Sequence, residues 1–442
     1  MPTQYTSATA PGALPLLGHT PALLRRPLAF VAGLPAHGDL VRLRLGPRDA
    51  YVACHPELVR RLLAEDHLLD RGGPGPGAGP AGGAGPAGCP AAAHRRRRRL
   101  LQPAFHHDRL PGYAALMAEE IAGTTARWRV GDVVDVPAAM HRLTTAATAR
   151  CLFAAHDRAG SPAVHDSVDV VTRGTGRRVT LPLPGADRLP TPGNRRLRRA
   201  RRDLSELTGR LVAGHRATGA DHHDLLSGLL DARDEDGRGL TDAEVHDQVA
   251  TFLLTGTETT AATLAWAWSL LARHPAVRER LHTELDTVLD GRPARYEDLP
   301  ALPLTARVVS ETLRLYPPVW ILSRTVTTDA DLGGLHVPAG ATVLFSPYLL
   351  HRRADLFRRP DRFDPDRWLT TARPSPGTYA PFGLGARRCL GDAFGTTEAV
   401  LAIATIAARW SVTPTPGRTV RPGRGPSLSP RPYTATLARR AR

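Results

Sequence analysis

The chain has 442 residues, 42% of them hydrophobic and 23% charged, enough apolar material for a large buried core. It carries 58 basic residues, every one an arginine, against 42 acids, for a formal charge of +16. The absence of lysine excludes Schiff-base chemistry, including that of pyridoxal phosphate enzymes. Basicity suits anionic partners, but aromatics are only 5% and no basic stripe is interleaved with them, which argues against nucleic-acid binding.

Residues Met1 to Pro11 have no basic stretch leading into an apolar one, so they do not read as a secretory signal, and Pro11 to His19 is an irregular entry punctuated by proline. No run of about 18 apolar residues exists, so no membrane span is expected, and cytoplasmic is the default location. Val41–Leu45 alternates apolar and charged residues as a half-exposed strand does, with Tyr51–Cys54 as its partner. Residues 72–93 are almost all Gly, Ala and Pro, which predicts a mobile loop. Helical periodicity then dominates, clearest over Leu101–Trp128, Arg195–Thr218, Ala243–His274 and Ala399–Trp410. Short strands return at Thr342–Phe345 and near the C-terminus, with no internal repeat. The expected fold is mainly α with a minor β region, a single domain over 1–442.

Four cysteines, Cys54, Cys89, Cys151 and Cys389, lack the spacing of a zinc cage or a disulfide framework. Cys389 stands apart, because Phe382, Gly385, Arg387, Cys389 and Gly391 form the pattern F-x-x-G-x-R-x-C-x-G. Glycines allow a tight turn, and backbone amides around the sulfur stabilise a thiolate, a soft ligand for haem iron.

The motif resembles the cysteine-ligand loop of the cytochrome P450 family of haem–thiolate monooxygenases. The resemblance implies the P450 fold, a triangular helical prism around a buried haem b, with Cys389 as the iron ligand and Phe382, Gly385 and Arg387 around it. Thr255–Thr260 resembles the family's oxygen-activation motif in a long helix: Gly256 would let the helix open, Thr259 would hydrogen-bond dioxygen, and Glu258 would feed protons inward. Read alone, those hydroxyls equally suit bonds back to helix carbonyls. Glu311-Thr312-Leu313-Arg314 matches the family's E-x-x-R helix, 78 residues before Cys389, and with Arg367 would form a buried structural cluster. Breaking such a cluster costs about 3–5 kcal/mol. Glu57–Arg60 fits E-x-x-R equally but reads as a solvated helix face.

For the haem propionates the resemblance implies Arg387, Arg324, and the His94/Arg98 pair, with Arg95, Arg96, Arg97 and Arg99 turned to solvent. Leu253, Thr255, Val319, Trp320, Ile321 and Tyr433 would line an apolar pocket. In the family, residues 72–93 normally carry a short helix roofing the substrate. Its loss leaves open an exposed pocket, a segment that orders around substrate, or a local frameshift. Phe105–Tyr113 and Tyr316–Trp320 look similar to bacterial terpene oxygenases, which implies a cyclic sesquiterpene or another terpenoid of secondary metabolism, hydroxylated once or oxidised repeatedly. Electrons would come from a ferredoxin and its NAD(P)H-dependent reductase, docking on Arg352, Arg353, Arg358, Arg359 and Arg388. The alternatives are a peroxygenase or rearranging haem–thiolate enzyme, and a basic non-catalytic scaffold or nucleic-acid-binding protein. Asp231–Gly237 lacks the spacing of a calcium loop and reads as a solvated turn.

Overall fold

A computed structural model describes residues 5–64, 69–70, 91–153, 166–171, 174, 189–218, 222–332, 334–369, 377–415, 419–423 and 427–440. The glycine-rich stretch lies outside these, except that Ala91–Leu101 is a helix, so residues 91–93 belong to its first turn. The chain divides into two compact units, the first within Met1–Pro76, Gly88–Arg95 and Leu313–Cys389, the second within Gly77–Ala87, Arg96–Thr312 and Leu390–Arg442.

The first unit is built on a sheet of six strands: β1 Ser7–Thr9, β2 Leu40–Leu45, β3 Arg48–Ala53, β4 Leu69–Asp70, β6 Leu322–Val326 and β9 Thr342–Phe345. They run in the order β1-β2-β3-β9-β6-β4. The alternation in β2 does what the pattern predicts, with Val41 and Leu43 buried and Arg42 and Arg44 exposed. Leu45 pairs with Arg48 across a two-residue turn, which needs the positive φ (62°) of Gly46. A small ribbon of β7 Ala330–Asp331 and β8 His336–Val337 completes this unit.

The second unit carries most of the helices and a sheet of β10 Trp410–Pro414, β11 Thr434–Arg439 and β5 Val133–Asp135, ordered β10-β11-β5. Its axis is the helix Asp242–Arg273, 32 residues long, opened by a capping box between Thr241 and Glu244. From Thr260 to Leu271 every position is buried, as expected of a helix that is apolar all round. The helix Val136–Leu152 lies along it, and the Thr144 hydroxyl donates to the Thr257 carbonyl at 3.0 Å. The C-terminal segment holds it at two further points. The Trp266 indole donates to the Leu428 carbonyl at 2.7 Å, and the Tyr433 hydroxyl donates to the Ala265 carbonyl at 2.6 Å.

Candidate active site

In the first unit the cysteine loop is held by its own backbone. The Cys389 amide donates to the Phe382 carbonyl at 2.9 Å, Gly383 to Ala380 at 3.1 Å and Arg388 to Gly385 at 3.1 Å. Gly383 and Gly385 sit at φ 70° and 68°, where a side chain is strained. At Gly385 a Cβ would also lie 2.0 Å from the Leu63 carbonyl oxygen, so no other residue fits. The loop leaves Cys389 exposed. Cys54 and Cys151 are buried, and burial pushes the thiol of Cys54 up to about 12 and that of Cys151 well above its ordinary value. Among the described cysteines, Cys389 alone is placed to act as a ligand.

Behind the loop, Arg314 is fully buried near the end of the helix Pro303–Leu315, and Glu311, one turn earlier, is buried as completely. Arg314 donates to three carbonyls: His351 at 2.8 Å, Pro360 at 2.7 Å and Arg362 at 3.1 Å. Arg367 donates to the Arg358 carbonyl at 3.0 Å and also reaches that of Arg362 at 3.3 Å. The two arginines therefore share the Arg362 carbonyl, and the segment 358–362 is clamped through its backbone. Glu57 and Arg60 form the exposed pair expected of them. Arg324, 7% exposed in β6, stacks over Phe345 and donates to the Ser323 carbonyl. Arg387 and Phe382 are half-buried.

Two expected roles change. Arg352 stacks over Tyr348 with its guanidinium 3.9 Å from the ring centre, and Arg353 forks onto Asp355 and reaches the Cys54 carbonyl. Both are therefore half-buried and engaged, whereas Arg358, Arg359 and Arg388 are exposed. In the second unit, Arg96 and Arg97 are half-buried and engaged rather than solvated, while Arg99 is exposed as expected. Arg96 bonds Asp234 at 2.8 Å, Arg97 bonds Glu244 at 3.3 Å, and Arg99 pairs with Glu235. The acidic turn at 231–237 is thus a counter-charge for the helix Ala91–Leu101 rather than a merely solvated loop. On that helix His94 is buried and Arg98 half-buried.

Within the second unit, the central helix carries an exposed window. Thr255 is exposed in the middle of a largely buried helix, with Gly256, Glu258 and Thr259 half-buried around it. The helix is unbroken here, and its hydroxyls bond back one turn: Thr255 to Thr251, and Thr259 to Thr255, both at 2.7 Å. Gly256 gives close packing instead of an opening, since a Cβ there would lie 3.2 Å from Thr148 Cγ2. Glu258 accepts from the Ser427 hydroxyl at 2.5 Å, and Ser427 is 2.7 Å from the hydroxyl of half-buried Ser429. Burial pushes the Glu258 carboxyl above its usual range, the Ser427 bond opposes this, and the charge of Asp169 adds to it. Glu398, fully buried near Thr260, is pushed up more strongly by burial.

Of the expected pocket residues, Thr255 and Val319 are exposed and Trp320 and Ile321 are half-buried. Leu253 is 1% exposed, and Tyr433 is buried with its hydroxyl committed to Ala265, so both are core here. Ser427, Ser429 and His351 escaped the sequence reading. The serines stand in a proline-rich stretch with no pattern, and His351 hides at the head of a basic run.

The chain matches the cytochrome P450 family over residues 10–436 and belongs to it. It is 45% identical over 420 residues to cyclooctat-9-en-7-ol 5-monooxygenase of Streptomyces melanosporofaciens, covering 94% of this chain and 92% of that one. Pentalenene oxygenase of Streptomyces avermitilis is 44% identical, covering 95% and 94%. The structure of retinoic acid-bound cyanobacterial CYP120A1 superposes with a TM-score of 0.85 at 26% identity, over 99% of both chains. The protein is a monooxygenase whose cofactor is haem b. Among the described residues, no helix is long and apolar enough to cross a membrane.

Proposed function

We propose that the chain is one catalytic domain that hydroxylates an apolar cyclic terpenoid, a sesquiterpene first among the candidates, with electrons from a ferredoxin and its reductase. The observation that carries this reading is Cys389, exposed on a tight loop whose Gly385 leaves no room for a side chain. The chemistry of the donor set in the first unit fits haem: an accessible thiol at Cys389, with arginines suited to propionates at Arg324 and Arg387 and a histidine at His94. When bound, the haem would supply a thiolate-ligated iron at which dioxygen is reduced and one oxygen atom enters a C–H bond. The residues of the chain bind, orient and deliver protons.

Burial disfavours the charge on Glu258 and so raises the affinity of its carboxyl for a proton. Ser429 and Ser427 form a hydroxyl path from the partly exposed side to that carboxyl. The Thr259 hydroxyl, which donates to the Thr255 carbonyl, can be freed by rotation of one side chain and would then be able to donate a hydrogen bond outward. A peroxide-driven enzyme would not need this path, which favours the oxygenase. Thr255 stands where the family's motif has a smaller residue and narrows the window. The terpene named for each relative supports the substrate class, and cyclooctat-9-en-7-ol adds an alcohol to the compounds worth testing.

The test is spectroscopic. Reduced, haem-loaded protein under carbon monoxide should give the strongly red-shifted Soret band of thiolate ligation. Titration with pentalenene or related terpenes should then convert low-spin to high-spin haem. Protein that takes up no haem would refute the enzyme reading. A red-shifted band with no response to any terpene would refute the substrate class alone.

A further inference from the structure

We infer that His351 is a positioning residue for the cysteine ligand, its imidazole linking the buried Arg314 backbone to the loop that presents Cys389. The inference rests on Cys389 being the ligand. His351 is fully buried just after the short helix Pro347–Leu350. Its Nδ1–H donates to the Arg314 carbonyl at 3.1 Å, and its Nε2 accepts from the Ala380 amide at 3.0 Å. Arg314 Nη1 in turn donates to the His351 carbonyl, so the two residues hold each other in both directions.

From Ala380 the path to the sulfur is backbone alone. The Ala380 carbonyl accepts from Gly383, and the Phe382 carbonyl accepts from Cys389. A displacement of Ala380 is therefore passed to both ends of the turn. Tyr379 lies against the imidazole with centroids 5.2 Å apart, and Phe357 meets it edge-on at 6.2 Å.

The link works with one tautomer only, because a protonated Nε2 cannot accept from Ala380. The surroundings enforce it. Burial, and the guanidinium groups of Arg314 and Arg352 that face the ring, hold the imidazole neutral down to about 3, against the opposing bond to the Arg314 carbonyl. No side chain with only a donor or only an acceptor could replace it.

The experiment compares His351→Phe, His351→Gln and Phe357→Leu as haem-loaded proteins, reading the carbon monoxide Soret band at equal haem content beside the melting temperature. His351→Phe fills the space but strands the Ala380 amide, and should lower the ratio of red-shifted to unshifted band by about tenfold. His351→Gln, whose amide oxygen can accept from Ala380, should stay within about twofold of the parent. Phe357→Leu alters the same wall without touching a hydrogen bond, and should lower the melting temperature while leaving the band intact. A red-shifted band retained in His351→Phe, or lost equally in Phe357→Leu, overturns the inference.

Should His351→Phe fail to fold, acid titration decides. The parent should convert to the unshifted form as the imidazole protonates. His351→Gln, which cannot protonate there, should convert at lower pH, and identical titrations would overturn the inference. A parent with no red-shifted band at neutral pH would instead remove the reading of Cys389 as ligand.

Discussion

The cysteine loop and the window in the central helix are specified by different parts of the same polymer. The loop is a backbone object: two glycines at positive φ, three amide–carbonyl bonds, and a Leu63 carbonyl so close to Gly385 that a methyl group cannot enter. The window is a side-chain object on an unbroken helix, where Thr255 and Thr259 bond back to carbonyls and Glu258 leans on Ser427. Substitution in the loop should therefore fail as geometry, and substitution in the window as chemistry on an intact fold.

Five changes test that contrast. Cys389→Ser should abolish the red-shifted carbon monoxide band and lower terpene oxidation by at least about a thousandfold, since the thiolate's electron donation is lost. Gly385→Ala should cost about 3 kcal/mol or more through clash and strain together. Gly383→Ala, with nothing within 4 Å of its new methyl, should cost only about 1–2 kcal/mol. Equal denaturation midpoints for the two would show that the Leu63 contact is unimportant. In the window, Glu258→Gln and Thr259→Val should each lower product formation by roughly 10- to 100-fold. Their stabilities should stay within about 1 kcal/mol of the parent, and a collapsed melting temperature would blur the contrast.

The smallest effect concerns pH. Burial raises the Glu398 carboxyl above its ordinary value of 4.5, so the fold favours its protonated form. That contribution is complete below about 4.5 and declines as pH rises through the raised value. Glu398→Gln should flatten the fall in stability on the alkaline side by up to about 1.4 kcal/mol per pH unit. Denaturant titrations at several pH values would measure the slope.

Much of this was legible beforehand, for a physical reason. Strand β2 and the long helices announce themselves through periodicity, and the loop through residues that few other conformations tolerate. Cys389 and Gly385 are located by the spacing of the loop motif, whereas Glu311 and Arg314 needed their context upstream of Cys389 to be told from the equally spaced Glu57 and Arg60. Side-chain destinations were less legible. Arg352 and Arg353 looked like surface charge until aromatic rings and Asp355 took them inward. Arg96, Arg97 and Arg99 met acids about 140 residues away in the chain. Tyr433 looked like a pocket wall but caps a helix carbonyl. Each of these depends on a distant partner that no local pattern encodes.

Three bonds bring residues 427–433 onto the central helix, at Glu258, Ala265 and Trp266, across separations of 169, 168 and 162 residues. Closing a chain over so many residues costs about 4–5 kcal/mol of entropy, but one closure serves all three contacts. They should accordingly form and break as a set. Weakening the indole anchor at Trp266 would loosen the serine path at Glu258 two turns away, so a change in the core would surface as a fault in proton supply.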